Sequence, residues 1–327
     1  MSNRPGILSI ATLQRYLPAS VKNALKPHYR KLFPGQLCML LWVTFRCNYR
    51  CSYCPIVTKF GFSSIYGKED ERTPEEWIAA LERLPKANIY ISGGEPFLFK
   101  GLPELVNGLN KHDILGIVTN ATVKTSVYER INKNIHMNLS FHREFVSEDD
   151  FLEKVEELRQ VGRFHLNVNL VATRENVPMI PKIAKMLSDH RVSLHIDPFV
   201  DPDMAFEYTP EETALLSRYL TPDRTTQMDR LVFDDYLPKS CSAGQNYINI
   251  MPDGTVFRCA AGFDYYHSPL RRPVLESGPN APYDPGYFKM GNIFDSSFQL
   301  DTRPVLCELP CPAACDRDMA QIKWLGK

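Results

Sequence analysis

The chain has 327 residues, 44% of them hydrophobic and 23% charged, with 38 basic residues against 38 acidic ones. That composition builds a sizeable core without help, and the length suits one large α/β domain with an appendage, or two domains. A neutral chain carries no whole-molecule reason to expect a nucleic-acid partner, and no apolar run approaches the ~20 residues that span a bilayer.

The N-terminus lacks the apolar core of a signal peptide, so the expected location is the cytoplasm. Nine cysteines are many for a reducing compartment. An odd number in tight local groups points to metal or redox chemistry rather than a disulfide framework.

Residues 1–36 read as a lead-in. Within it, Lys22, Lys26, Arg30 and Lys31 crowd one stretch, and the first three are spaced by four. On a continuous helix they would share a face, as in a basic amphipathic helix resting on anionic lipid. Pro27 would break or kink that helix, which favours a solvated helix packing on the main domain.

From residue 37 to about 200 the pattern alternates. Apolar runs at 38–46, 87–92, 114–119, 135–141, 164–172 and 192–197 read as six strands. The first intervening helix is signalled by Thr73 as N-cap, Pro74 at the first helical position and Glu76 completing a capping box, with Trp77, Leu81 and Leu84 on one face. Another opens at Ser147, with Phe151, Val155 and Leu158 as its stripe. Parallel βαβ units with right-handed crossovers follow, six of them, and the expected architecture is an open, partial (β/α)6 barrel. In such folds chemistry sits at the C-terminal ends of the strands. Residues 201–240 read as a helical connection and residues 241–327 as a small cysteine-rich extension.

The loop after the first strand reads Cys47-Asn-Tyr-Arg-Cys51-Ser-Tyr-Cys54-Pro55. Three thiolates on a short loop can each bind one iron of a cubane and leave the fourth iron open. Structural zinc and electron-transfer clusters both want a fourth ligand; no histidine lies nearby in sequence, and Cys38 sits at the far end of the preceding strand. After the second strand, Ser92-Gly93-Gly94-Glu95-Pro96 combines glycines that admit a close ligand with a carboxylate.

These segments resemble the radical S-adenosylmethionine (SAM) superfamily, whose hallmark is CxxxCxxC with an aromatic residue before the last cysteine, here Tyr53. The resemblance covers residues 38–198. It implies a [4Fe-4S] cluster on Cys47, Cys51 and Cys54, whose unique iron chelates SAM. Reductive cleavage then yields a 5′-deoxyadenosyl radical that takes hydrogen from a substrate. It also implies a flavodoxin- or ferredoxin-like electron donor, and a SAM amino-group contact at Gly93, Gly94 and Glu95. Thr119-Asn120 stands where relatives carry Thr-Asn-Gly, but Ala121 replaces the glycine, which leaves the role of Asn120 open. Ser140 and His142 end the fourth strand and Asn169 lies in the fifth; Ser140 is a candidate cofactor contact.

Cys241 and Cys259 flank a hairpin strand expected at Tyr247–Met251 and the turn Pro252-Asp253-Gly254. Cys307, Cys311 and Cys315 follow at four-residue spacing. This part resembles the SPASM and twitch auxiliary-cluster extensions, and five cysteines suit the single-cluster twitch form. The resemblance implies a second [4Fe-4S] cluster on Cys241, Cys259, Cys311 and Cys315, with Cys307 as an alternative ligand or a hydrogen-donating thiol. A zinc site with four cysteine ligands is the other reading. Cys38, at the start of a buried strand, is a weaker thiol candidate.

His195 and Asp197 at the end of the sixth strand point the same way by the period of two. They could grip substrate hydroxyls or move a proton. The expected activity is oxidation or epimerisation of a sugar- or cyclitol-like alcohol. Modification of a ribosomal peptide is the alternative. A non-enzymatic iron–sulfur carrier would leave Gly93-Gly94-Glu95 unexplained.

Overall fold

The structure is a computed structural model that describes residues 37–54, 56, 72–199, 206–220, 239–259, 288–307 and 323–324. The elements in chain order are β1 (Leu37–Trp42), α1 (Pro74–Leu81), β2 (Ala87–Ser92), α2 (Leu102–Gly108), β3 (Asp113–Thr119), α3 (Thr125–Tyr128), β4 (Ile135–Ser140), α4 (Glu148–Gln160), β5 (Phe164–Ala172), α5 (Ile180–Asp189) and β6 (Ser193–Pro198). They continue with α6 (Pro210–Leu216), β7 (Lys239–Cys241), β8 (Tyr247–Ile250), β9 (Thr255–Phe257), β10 (Lys289–Asn292), β11 (Val305–Cys307) and β12 (Lys323–Trp324).

The local signals in the sequence are the ones the backbone uses. Thr73 accepts from the amide of Glu76, whose carboxylate accepts from the amide of Thr73, closing the capping box of α1. Ser147 accepts from the amide of Asp150 at the start of α4. Each cap satisfies backbone donors that a helix start leaves orphaned, at about 1 kcal/mol apiece.

Nine strands form one sheet in the order β10-β9-β8-β1-β2-β3-β4-β5-β6. From β1 to β6 every pairing is parallel and between consecutive strands. The order never reverses, so the crossovers run one way and the sheet rolls instead of winding doubly. Among the described residues no pairing joins the two edges, so the barrel is partial and open. Along β1, Leu37, Met39 and Leu41 are buried while Cys38, Leu40 and Trp42 on the other face are half-buried. The same alternation in β4 leaves His136, Asn138 and Ser140 on the concave face. Trp77 of α1 is fully buried in the outer layer, with its ring edge on Phe294.

The expected first strand, 38–46, ends at Trp42. Beyond it the backbone bonds leave the ladder for the turn after β2. The amide of Val43 donates to Ser92 O at 3.4 Å, that of Gly94 to Thr44 O at 2.9 Å, and that of Glu95 to Arg46 O at 2.8 Å.

The C-terminal extension does not stand apart. β8 pairs parallel to β1, with Cys38 opposite Tyr247, and β9 and β10 continue the same sheet. A second, three-stranded sheet runs β11-β7-β12. The lead-in with its basic stretch, Cys311, Cys315 and the Pro/Gly-rich loop at 268–286 lie outside the described residues. No helix among the described residues is long and apolar enough to cross a membrane.

Candidate functional site

Cys47, Cys51 and Cys54 line one cavity of about 60 Å³ at the C-terminal end of β1. Tyr49, Gly94, Asn120, Ser140 and His142 complete its wall. Four consecutive strands therefore deliver one side each, as their order in the sheet requires.

The loop is held from two directions. Asn120, just past β3, donates from Nδ2 to Asn48 Oδ1 at 2.8 Å and toward Cys47 Sγ at 3.9 Å. Asn48 in turn donates to Thr122 Oγ1 at 2.8 Å. From beyond β4, His142 Nδ1 lies 2.8 Å from Tyr53 Oη and 3.2 Å from Cys51 Sγ. Glu144 accepts from the amide of Ser52 at 3.0 Å and from its hydroxyl. Phe145 stacks on Tyr49 at 4.4 Å between ring centroids. Burial drives the His142 pKa down to about 4, so the ring is neutral at physiological pH. Sequence reasoning singled out Asn120 and Ser140 but gave His142 no partner, and it missed Asn48, Thr122 and Glu144. Thr122 and Glu144 lie beyond β3 and β4, far from the cysteine loop in sequence, and the partner that gives Asn48 its place, Asn120, is equally distant.

Glu95 is wholly buried. Its Oε1 accepts from the amide of Phe97 at 3.0 Å and from Thr119 Oγ1 at 2.8 Å, and its Oε2 accepts from the amide of Asn120 at 2.6 Å. The carboxyl thus ties the turn after β2 to the end of β3. Burial outweighs these bonds and pushes its pKa up to about 7. Ala121, where a glycine was expected, has φ +59°. The left-handed conformation costs a residue with a Cβ roughly 1–2 kcal/mol, which accounts for the preference for glycine there.

Gly94 has no room for a side chain. A Cβ there would lie 2.4 Å from Arg46 O and 2.6 Å from Phe45 O, both backbone atoms. Gly94→Ala is therefore expected to push the turn off the cysteine loop at a cost of about 3 kcal/mol or more. A thermal melt beside the wild type checks this, and an unchanged midpoint would contradict it.

The thiols suit a soft metal. Burial raises the pKa of Cys47 and pushes that of Cys51 up to about 12, so without metal both are protonated. Coordination removes those protons outright. Three soft donors on one cavity wall fit an iron–sulfur cluster with one open iron.

His195 Nε2 lies 3.3 Å from Asp197 Oδ1 at the end of β6, both side chains part-exposed, as the period of two predicts. Cys307 does not reach the cavity. It packs against the buried cluster of Cys241, Ala243 and Tyr247, as Cys38 does from the start of β1.

Residues 43–197 match the model of the Radical SAM superfamily. The chain is 27% identical over 267 residues to the PqqA peptide cyclase of Bradyrhizobium diazoefficiens, covering 69% of this chain and 67% of that protein. It is 24% identical over 186 residues to the GTP 3′,8-cyclase of Staphylococcus haemolyticus, covering 51% of each. The chain thus spans about two thirds of the one relative and about half of the other. Among solved structures, Streptococcus suis SuiB bound to precursor peptide SuiA superposes with a TM-score of 0.53 at 15% identity, over 88% of this chain and 72% of that one. Native anSMEcpe with bound AdoMet gives a TM-score of 0.53 at 17% identity, over 79% and 78%. At these identities the two structures share the fold. Residues 43–197, with their three-cysteine loop and the Gly-Gly-Glu turn that ends in buried Glu95, are a radical SAM domain, of the superfamily whose cofactors are a [4Fe-4S] cluster and S-adenosylmethionine.

Proposed function

We propose that this radical SAM enzyme modifies a peptide. The observation that carries the reading is the reach of the similarity. The match to the PqqA peptide cyclase covers 69% of this chain, whereas the match to the GTP cyclase covers 51%. The concave face supports it. Asn138, Asn167 and Asn169 form a row of carboxamides along β4 and β5, with Asn167 Nδ2 3.2 Å from Asn169 Oδ1 and 3.4 Å from Asn138 Oδ1. Carboxamides both donate and accept, as peptide groups do, and carry no charge.

Bound at Cys47, Cys51 and Cys54, the cluster with SAM supplies hydrogen abstraction, driven by an electron from a flavodoxin- or ferredoxin-like donor. Gly94, Asn120 and Ser140 line the SAM side of the cavity, with Glu95 buried behind them. A second [4Fe-4S] cluster sits in the C-terminal extension, with ligands drawn from Cys241, Cys259, Cys307, Cys311 and Cys315. Extended from 241 onward, the chain has an auxiliary-cluster domain of twitch type.

A second reading, oxidation or epimerisation of a sugar- or cyclitol-like alcohol, is favoured by one observation, the His195–Asp197 pair at the mouth of the fold. That pair could grip hydroxyls or move a proton. The two readings separate in one assay. The reconstituted, reduced enzyme is given SAM with either a deuterated peptide mixture or deuterated aminocyclitols. Deuterium entering 5′-deoxyadenosine from the peptide, with a changed peptide mass, is the expected result. Deuterium from the aminocyclitols alone would overturn the peptide assignment.

A further inference from the structure

Three thiols of the extension meet a surface that a fourth, from outside its sequence, also packs on. β8 pairs with β1 in parallel, and the register sets Cys38 opposite Tyr247, with the Cys38 amide donating to Asn246 O at 2.7 Å. β11 pairs with β7, setting Val305 opposite Cys241 and Cys307 opposite Lys239. Cys38, Cys259 and Cys307 all pack, with Leu40 and Val305, against one buried cluster of Cys241, Ala243 and Tyr247. Cys241 is 7% exposed and the other three thiols are half-buried. Cys38 belongs to the radical SAM sheet, and its partners come from about 200 residues further along the chain.

We infer that Cys38 is a ligand of the second iron–sulfur cluster, closing a four-thiolate set with Cys241, Cys259 and Cys307. The inference rests on the second-cluster reading above and changes its ligand set. Four soft donors in an apolar wall are the donor chemistry of a cubane held by four cysteines. Among the described residues no three Cys, His, Asp or Glu side chains converge at the spacing of a single ion.

The position has a consequence for the enzyme. β1 begins at one metal centre and runs directly into the loop of the other. From Cys38 to Trp42 is four residue steps, about 13 Å at ~3.3 Å each. A strand tethered at both ends would lock the cavity floor to the extension, so loss of the second cluster would loosen the first.

The test uses iron content, electron paramagnetic resonance and thiol labelling. In protein with Cys47, Cys51 and Cys54 all changed to Ala, the second cluster stands alone, with about four irons per chain. Adding Cys38→Ala is expected to lower this to about three or fewer and to change the spectrum. Retention of about four irons with an unchanged spectrum overturns the assignment of Cys38 while leaving the second cluster in place. No iron, or zinc instead, in the triple variant overturns the cluster and the assignment together. Wild-type holoenzyme guards against a misfolded variant. Under anaerobic iodoacetamide, Cys38 and Cys241 should be protected together and become reactive together when iron is chelated. Labelling of Cys38 while iron is bound, or its continued protection once Cys241 is released, overturns the inference.

Discussion

Glu95→Ala lowers stability by about 3–5 kcal/mol and frees the cysteine loop, because it strands three buried donors at once. The amides of Phe97 and Asn120 and the hydroxyl of Thr119 all point at this carboxyl. An unsatisfied buried donor costs about 1–3 kcal/mol, and part of the sum is returned because the carboxylate no longer has to be held out of water. Glu95→Gln keeps the volume but turns an N–H₂ toward a donor, for a smaller loss of about 1–3 kcal/mol.

The glutamine variant also removes a titration. Glu95 is pushed from its ordinary 4.5 up to about 7 by burial. Between those values the folded protein holds a proton that the unfolded chain releases. This contribution to stability is therefore present in full below pH 4.5 and is lost as pH rises through 7, to a total of about 3 kcal/mol. His142 works in the other direction. The unfolded imidazole takes a proton below its ordinary 6.5 while the folded one stays neutral down to about 4, so stability falls as pH drops through that interval. Urea midpoints of the metal-free protein at about pH 5 and about pH 7.5 isolate Glu95 by difference. Relative to Glu95→Gln, the wild type should lose stability on going to the higher pH. Parallel behaviour of the two proteins would show that Glu95 stays ionised across the interval.

Replacing Cys47, Cys51 and Cys54 together by Ala should bring 5′-deoxyadenosine formation down to background, a loss of about 10⁶-fold or more. The three thiols share one cavity, and among the described residues no other cysteine lines it. Iron content reads the second centre in the same experiment. About eight irons falling to about four means two cubanes. About four falling to near zero would mean that the C-terminal thiols hold none. Zinc in place of iron in the wild type would overturn the cluster reading at both sites.

The sequence by itself determined whatever depends on near neighbours. Thr73 with Glu76, and Ser147 before α4, are helix starts written in a span of four residues. The open three-thiol loop needs only Cys47 to Cys54, and the facing pair His195 and Asp197 needs only the period of a strand. Gly94 was legible as a point of close approach, although what approaches is the backbone of Phe45 and Arg46 and not only a ligand.

What required the tertiary structure was parallel pairing between distant segments, which leaves no local periodic trace. Glu95 reads as a ligand-facing carboxylate in sequence, yet the β2–β3 register buries it against Thr119 and Asn120. His142 meets Cys51 and Tyr53 because β4 follows β3 in the rolled sheet. The extension reads in sequence only as a small cysteine-rich segment; β8 completes a ladder with β1 and so brings Cys38 against the cluster that holds Cys241. Hydrophobic spacing can say that a strand is half-buried. Which strand lies beside it is settled by the burial and hydrogen bonding of the whole sheet, and so is which thiols meet.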